Sequence, residues 1–146
     1  MTTVLLVRHA DIDLPPSSDD PPLNSAGHER AEMLAHVAGG AGVTAILTSS
    51  LTRTKQTAGP LATRLGLGPR EAPPPPVLAS QLLSGTLGQV VVVAGHSNTV
   101  PQIIDALGGS AVSLVIRERE FDNLYVVTAG TAGFTLVRLK YGDRSA

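Results

Sequence analysis

The chain of 146 residues has no cysteine and no tryptophan, and only two tyrosines and two phenylalanines. Without cysteine there is no disulfide frame, no thiolate nucleophile and no Cys-type zinc site. With aromatics at 3%, few platforms exist on which nucleobases could stack, and the core must be built from Val, Leu, Ile and Ala. Charge is also scarce. Charged residues make up 16%, against roughly 25% in an average soluble domain. Eleven Lys and Arg against twelve Asp and Glu leave a net charge of −1. No basic stripe appears, so nucleic acid is not expected as a partner. Long apolar runs are missing too. Val4-Leu5-Leu6-Val7 is stopped by Arg8, too short for a signal-peptide core or a bilayer helix. No membrane partner and a cytoplasmic location are therefore expected.

What remains is a strand-and-helix pattern with 42% hydrophobic residues, of a length that suits one domain over residues 1–146. Thr3 to Val7 reads as a buried strand, and Asp11 to Pro22, with four prolines and four aspartates, as a loop. Asn24 or Ser25 can cap a helix whose inner face is Ala31, Leu34, Ala35 and Ala38, ended by Gly39 to Gly42. That glycine run lacks the Lys-Ser/Thr of a phosphate-binding loop. Val43 to Thr48 reads as a second strand. Ser49 and Ser50 are expected to cap a helix closed by Gly66, with a kink or early break at Pro60. Gly68 to Pro76 reads as an extended connector, and Ala79 to Leu87 as a short helix. Val90 to Ala94 has the valine run of a central strand covered on both faces. Asn98 to Leu107 reads as a helix, with Pro101 tolerated in its first turn. Leu124 to Thr128 and Phe134 to Leu139 read as a hairpin. The pattern predicts an α/β fold: a three-layer αβα sandwich on a mostly parallel sheet, with a C-terminal antiparallel hairpin.

Three segments join a strand end to a charged or imidazole group: Arg8-His9, Ser50-Leu51-Thr52-Arg53, and Gly95-His96-Ser97-Asn98. Open α/β sheets bind ligands outside the carboxyl ends of their strands, so two Arg and two His are expected to converge. The Arg8 and Arg53 guanidinium forks match a phosphoryl group. Backbone N–H groups at the helix starts after Ser50 and Ser97 would add donors. One imidazole can attack phosphorus while the other donates to a non-bridging oxygen.

These segments resemble the histidine phosphatase superfamily, also called phosphoglycerate mutase-like. Its Arg-His-Gly appears here as Arg8-His9-Ala10, its helix start as Ser50-Leu51-Thr52-Arg53 through Thr57-Ala58, and its second histidine as Gly95-His96-Ser97. Leu23-Asn24-Ser25-Ala26-Gly27 is similar to the family's Leu-Thr-x-x-Gly. The resemblance implies a phosphohistidine intermediate on His9, with Arg8, Arg53 and His96 holding the phosphoryl group, and no metal or cofactor. Many members carry a carboxylic acid between the second and third segments to protonate the leaving group. Here Val77 to Gln81 contains none, and only Glu71 lies between Arg53 and His96. Asp11 takes the position it holds in the short bacterial phosphohistidine protein phosphatases, which this chain resembles in length. Asp11 is thus the first candidate acid and Glu71 the second. A phosphorylated small molecule or a phosphohistidine protein is the implied partner.

Two rival readings stand beside the phosphatase. One is a phosphate-binding module of the same fold with little turnover. The other is a metal site made of His9, Asp11 and His96, a two-histidine, one-carboxylate set. Arg117-Glu118-Arg119-Glu120 reads as a solvated alternating face, and His28 and His36 as solvated.

Overall fold

The computed structural model describes residues 1–110 and 112–145. Six strands form one sheet: β1 (Thr2–Arg8), β2 (Ala45–Thr48), β3 (Arg70–Glu71), β4 (Val90–Gly95), β5 (Asn123–Gly130) and β6 (Gly133–Lys140). Their spatial order is β3-β2-β4-β1-β5-β6. β1 to β4 run parallel, β5 runs antiparallel to β1, and β6 pairs antiparallel with β5. The helices are α1 (Ser25–Ala38), α2 (Thr52–Leu65), α3 (Pro75–Ser84) and α4 (Thr99–Ile104), the last running into a wide π turn at Asp105–Gly109. Among the described residues no helix is long and apolar enough to cross a membrane.

The layers follow from the period-two alternation of strand side chains. Val4, Leu6, Leu47, Val91 and Val93 pack with Leu78, Leu82, Val100 and Ile104 of α3 and α4. Leu5, Val7, Ile46, Val92 and Ala94 pack with Leu34, Ala38, Ala58 and Leu61 of α1 and α2 on the other face. The predicted three-layer αβα sandwich is thus observed.

Some boundaries move. Asn24 is the cap of α1, its side chain accepting from Gly27 N–H. Gly27 is required there, because a Cβ would collide with the Asp11 carbonyl. α2 runs through Pro60 to Leu65, so the early break does not occur. Gly59 precedes it, and its missing Cβ removes part of the clash that a proline imposes on its neighbour. Ser49 and Ser50 do not cap α2. Asp20, from the 11–22 loop, accepts from the Thr52 N–H (2.9 Å) and hydroxyl (2.7 Å) instead. The connector contains a two-residue edge strand, Arg70–Glu71. α3 begins at Pro75, earlier than expected, since a proline in the first turn has no N–H to satisfy there. It stops before Gly85, which takes the left-handed conformation at φ 81°.

Candidate active site

β1 and β4 are adjacent, parallel and in a register that pairs Arg8 with Gly95. The backbone N–H of His9 continues this ladder to the Gly95 carbonyl at 2.8 Å. The residues that follow, His9 and His96, are therefore carried to one edge of the sheet, with ring centroids 5.5 Å apart. α2 starts beside them and brings Arg53. Thr57, one turn further on, accepts from Ala10 N–H (2.8 Å) and donates to the Arg53 carbonyl (2.7 Å), tying the helix to the loop after β1. Arg8, His9, Arg53, His96 and Ser97 line one cleft of about 520 Å³, as the strand-end argument predicts.

His9 is 3% exposed. Its Nδ1–H donates to the Ala10 carbonyl at 2.8 Å, leaving Nε2 as the nitrogen with a free lone pair. Burial first, then Arg8, His96 and Arg53, push its pKa down to about 3, against the raising effect of the Ala10 carbonyl. At neutral pH the ring is uncharged, the form a nucleophile needs.

Burial, then Arg53 and Arg8, likewise push His96 down to about 4. Its Nε2 lies 2.8 Å from Ser49 Oγ, itself 2.8 Å from Thr54 Oγ1. The N–H of His96 donates to Thr99 Oγ1 at 2.9 Å. Ring and backbone of His96 are thus both held, and Nδ1 is the ring nitrogen Ser49 does not engage.

Arg8 is buried, and burial and then Arg53 hold its pKa below the usual arginine value. Its Nη1 donates to the carbonyls of Arg117 (3.0 Å), Glu118 (2.8 Å) and Glu120 (3.0 Å). Its Cζ stands 4.3 Å from the centre of the Phe121 ring. Held on one side, the guanidinium keeps a buried Nε with no acceptor, and Arg53 keeps both Nε and Nη1 in that state. Each unpaired buried donor costs about 1–3 kcal/mol or more when charged. Three in one cleft, with two neutral imidazoles, make a site suited to a multivalent oxyanion.

Asp11 is not brought into the cleft. Its carboxylate takes Arg30 Nε at 2.7 Å and Nη2 at 3.4 Å. Arg30 is 4% exposed and also donates to the carbonyls of Tyr141 (2.7 Å) and Asp143 (2.8 Å). The expectation that Asp11 faces a leaving group is corrected on this geometry: the carboxylate joins α1 to the C-terminal segment. For the same reason His9, Asp11 and His96 do not assemble the metal set weighed above. Among the described residues no group of three His, Cys, Asp or Glu is placed to hold a metal ion. Glu71 stands at the exposed end of β3 and shares a separate apolar recess with Ser49 and His96. The carboxylates that do line the cleft are Asp19 and Glu118.

Sequence reasoning missed several contributors. The reading of Ser49 as a helix cap overlooks its contact with His96, for which its place directly after the β2 strand end is the available signal. The 117–120 segment, read as a solvated face, supplies the carbonyl clamp on Arg8, and no side-chain pattern announces a carbonyl. The N-terminus of α2 offers less to an anion than expected, because Asp20 occupies Thr52 N–H.

Comparison with known proteins agrees with this fold. No curated protein sequence matches the chain. Among solved structures, the protein histidine phosphatase SixA complexed with tungstate superposes with a TM-score of 0.77 at 19% identity, covering 95% of this chain and 97% of that one. The mycobacterial glucosyl-3-phosphoglycerate phosphatase superposes at 0.72 and 14% identity, covering 99% and 100%. Its complex with VO3 gives 0.73 and 16%, covering 94% and 97%. At these identities the likeness is one of fold. The family model described as histidine phosphatase superfamily (branch 1) matches residues 4–73, the stretch that contains Arg8, His9 and Arg53. By that match residues 4–73 are similar to the histidine phosphatase superfamily, and the whole chain shares the fold of the solved phosphatases above.

Proposed function

We propose that the chain is a metal-independent phosphohydrolase acting on phosphomonoesters or phosphoramidates through a phosphohistidine on His9. The observation that carries this reading is the set of three unpaired, buried guanidine N–H groups beside two neutral imidazoles. The Nε2 lone pair of His9 attacks phosphorus, and the bond from phosphorus to the leaving oxygen or nitrogen breaks. The leaving group departs with that electron pair and takes a proton. Arg8 Nε, Arg53 Nε and Nη1, and His96 donate to the non-bridging oxygens as charge spreads over them. Water then attacks the phosphohistidine, the P–N bond breaks, and inorganic phosphate leaves with His9 restored.

The Asp11 carboxylate is on Arg30, which leaves Asp19 and Glu118 as the carboxyl groups of the cleft lining; with no acid at the Asp11 position, leaving groups that need little protonation are favoured: phosphoramidates and aryl phosphates over alkyl phosphates. General acid help is worth about 10²–10⁴-fold, and an alkoxide would miss it most. The same placement also fits the second reading, an oxyanion-binding module with little turnover. Phosphate or vanadate binding does not separate the two. Turnover of p-nitrophenyl phosphate, lost in His9→Ala, with label trapped on His9 of the wild type after acid-free quenching, supports the hydrolase. No turnover and no label with intact phosphate binding would replace it by the binding module.

A further inference from the structure

A second groove of about 600 Å³ is lined by Arg117, Arg119, Lys140 and Arg144 together with Glu120 and Asp122. It holds four of the eleven basic residues of a chain whose net charge is −1. The acids in it are already engaged. Glu120 Oε1 accepts from Arg117 N–H and Oε2 from Lys140, and Asp122 accepts from Lys140 and from Ser145 N–H. Arg117, Arg119 and Arg144 are exposed, and among the described residues none forms an ion pair with a carboxylate. The groove lining thus carries four basic against two acidic side chains, and its three guanidinium groups take part in no ion pair among the described residues.

Its position relative to the reacting centre is set by one turn of chain. The carbonyls of Arg117, Glu118 and Glu120 clamp Arg8, while the Glu118 side chain lines the phosphoryl cleft and Arg117 and Arg119 line the groove. Consecutive residues of one short segment thus line the two depressions.

We propose that this groove docks an acidic stretch of polypeptide flanking a phosphorylated side chain, so that the substrate is a protein rather than a metabolite. The inference rests on the hydrolase reading and narrows its substrate class. Exposed guanidinium groups that engage carboxylates at the rim act mainly on encounter rate and salt dependence. Nucleic acid fits less well, because no aromatic side chain lines the groove to stack a base.

The test compares two synthetic peptides, each with one phosphohistidine, flanked by glutamates in one and by lysines in the other, with p-nitrophenyl phosphate as the small substrate. The wild type is expected to hydrolyse the acidic peptide about tenfold more efficiently than the basic one at low salt, a preference that fades as salt is raised. Arg119→Gln/Arg144→Gln, both at exposed positions, should abolish the preference and leave p-nitrophenyl phosphate turnover and Tm unchanged. Equal hydrolysis of the two peptides by the wild type, or equal losses on peptides and small substrate in the variant, would overturn the docking groove. Stronger inhibition by a short oligothymidylate than by the unphosphorylated acidic peptide would overturn it in favour of nucleic acid. Failure of His9→Ala to abolish p-nitrophenyl phosphate turnover would instead sink the hydrolase reading, so the two failures are distinct.

Discussion

The rings of His9 and His96 stand 5.5 Å apart at an interplanar angle of 60°, and both are held neutral by burial and by the positive charges of Arg8 and Arg53. Their protonation is therefore coupled to folding and to anion binding.

The pH dependence of stability has a definite sign. In the unfolded chain each histidine titrates near 6.5; in the folded protein His9 titrates near 3 and His96 near 4. Between those values the unfolded state binds more protons, so stability falls as pH drops from about 6.5 towards 3. Each histidine contributes at most about 1.4 kcal/mol per pH unit. Urea midpoints measured from pH 7 to pH 4 should decline, and His96→Asn should flatten the decline. In ¹⁵N-resolved NMR the His9 ring should stay neutral, with the proton on Nδ1, well below pH 6. A ring protonating near 6.5 contradicts the burial argument.

Arg53→Lys keeps a positive charge but loses the planar fork. Losing one preorganised donor to the developing charge costs about 10²–10³-fold in kcat, so this substitution should behave almost as badly as Arg53→Ala. A near-wild-type rate for the lysine variant would mean that the unpaired Nε and Nη1 are not the groups that matter. Thermal unfolding of both variants is expected to stay within a few degrees of wild type, because those two nitrogens make no bond within the protein.

Ser49 acts on His96 rather than on substrate. Ser49→Ala should raise KM and shift the His96 titration, with Ser49→Thr restoring both, since the hydroxyl is what meets Nε2 at 2.8 Å. An unchanged His96 titration in Ser49→Ala would remove this positioning role.

Asp11→Ala leaves the buried Arg30 guanidinium without its carboxylate. Breaking such a pair costs on the order of 3 kcal/mol, so Tm should fall by roughly 10 °C. Turnover below the melting range should drop far less than the 10²–10⁴-fold expected for a lost general acid. The ratio of aryl to alkyl phosphate rates should not move. A selective loss of alkyl phosphate turnover would put the carboxylate back at the reacting centre.

Four cleft residues were legible in the sequence because each sits directly after a strand end or at a helix start. Arg8 and His9 follow the Val4–Val7 run, His96 follows the valine strand, and Arg53 opens α2. Strand ends of a parallel sheet share one edge, so their neighbours meet without any knowledge of loops. Asp11 misled for the opposite reason. It lies two residues from His9, but the chain turns where Ala10 N–H bonds Thr57, and Asp11 is carried to Arg30. Its true partner comes from another helix, and no local pattern marks such a pairing. The carbonyl clamp on Arg8 was invisible because every residue has a carbonyl. Pro60 and Pro75 show local propensity yielding to context: a preceding glycine in one case, a first-turn position in the other.

The ladder that joins β1 to β4 has a final implication. The two imidazoles are spaced by the same hydrogen bonds that close the middle of the sheet, not by any surface loop. They part only when the molecule's innermost pairing unzips, which is among the last protections a domain gives up. Heat or urea should consequently erase turnover and bulk ellipticity in one transition, with no interval in which a folded population has already gone silent.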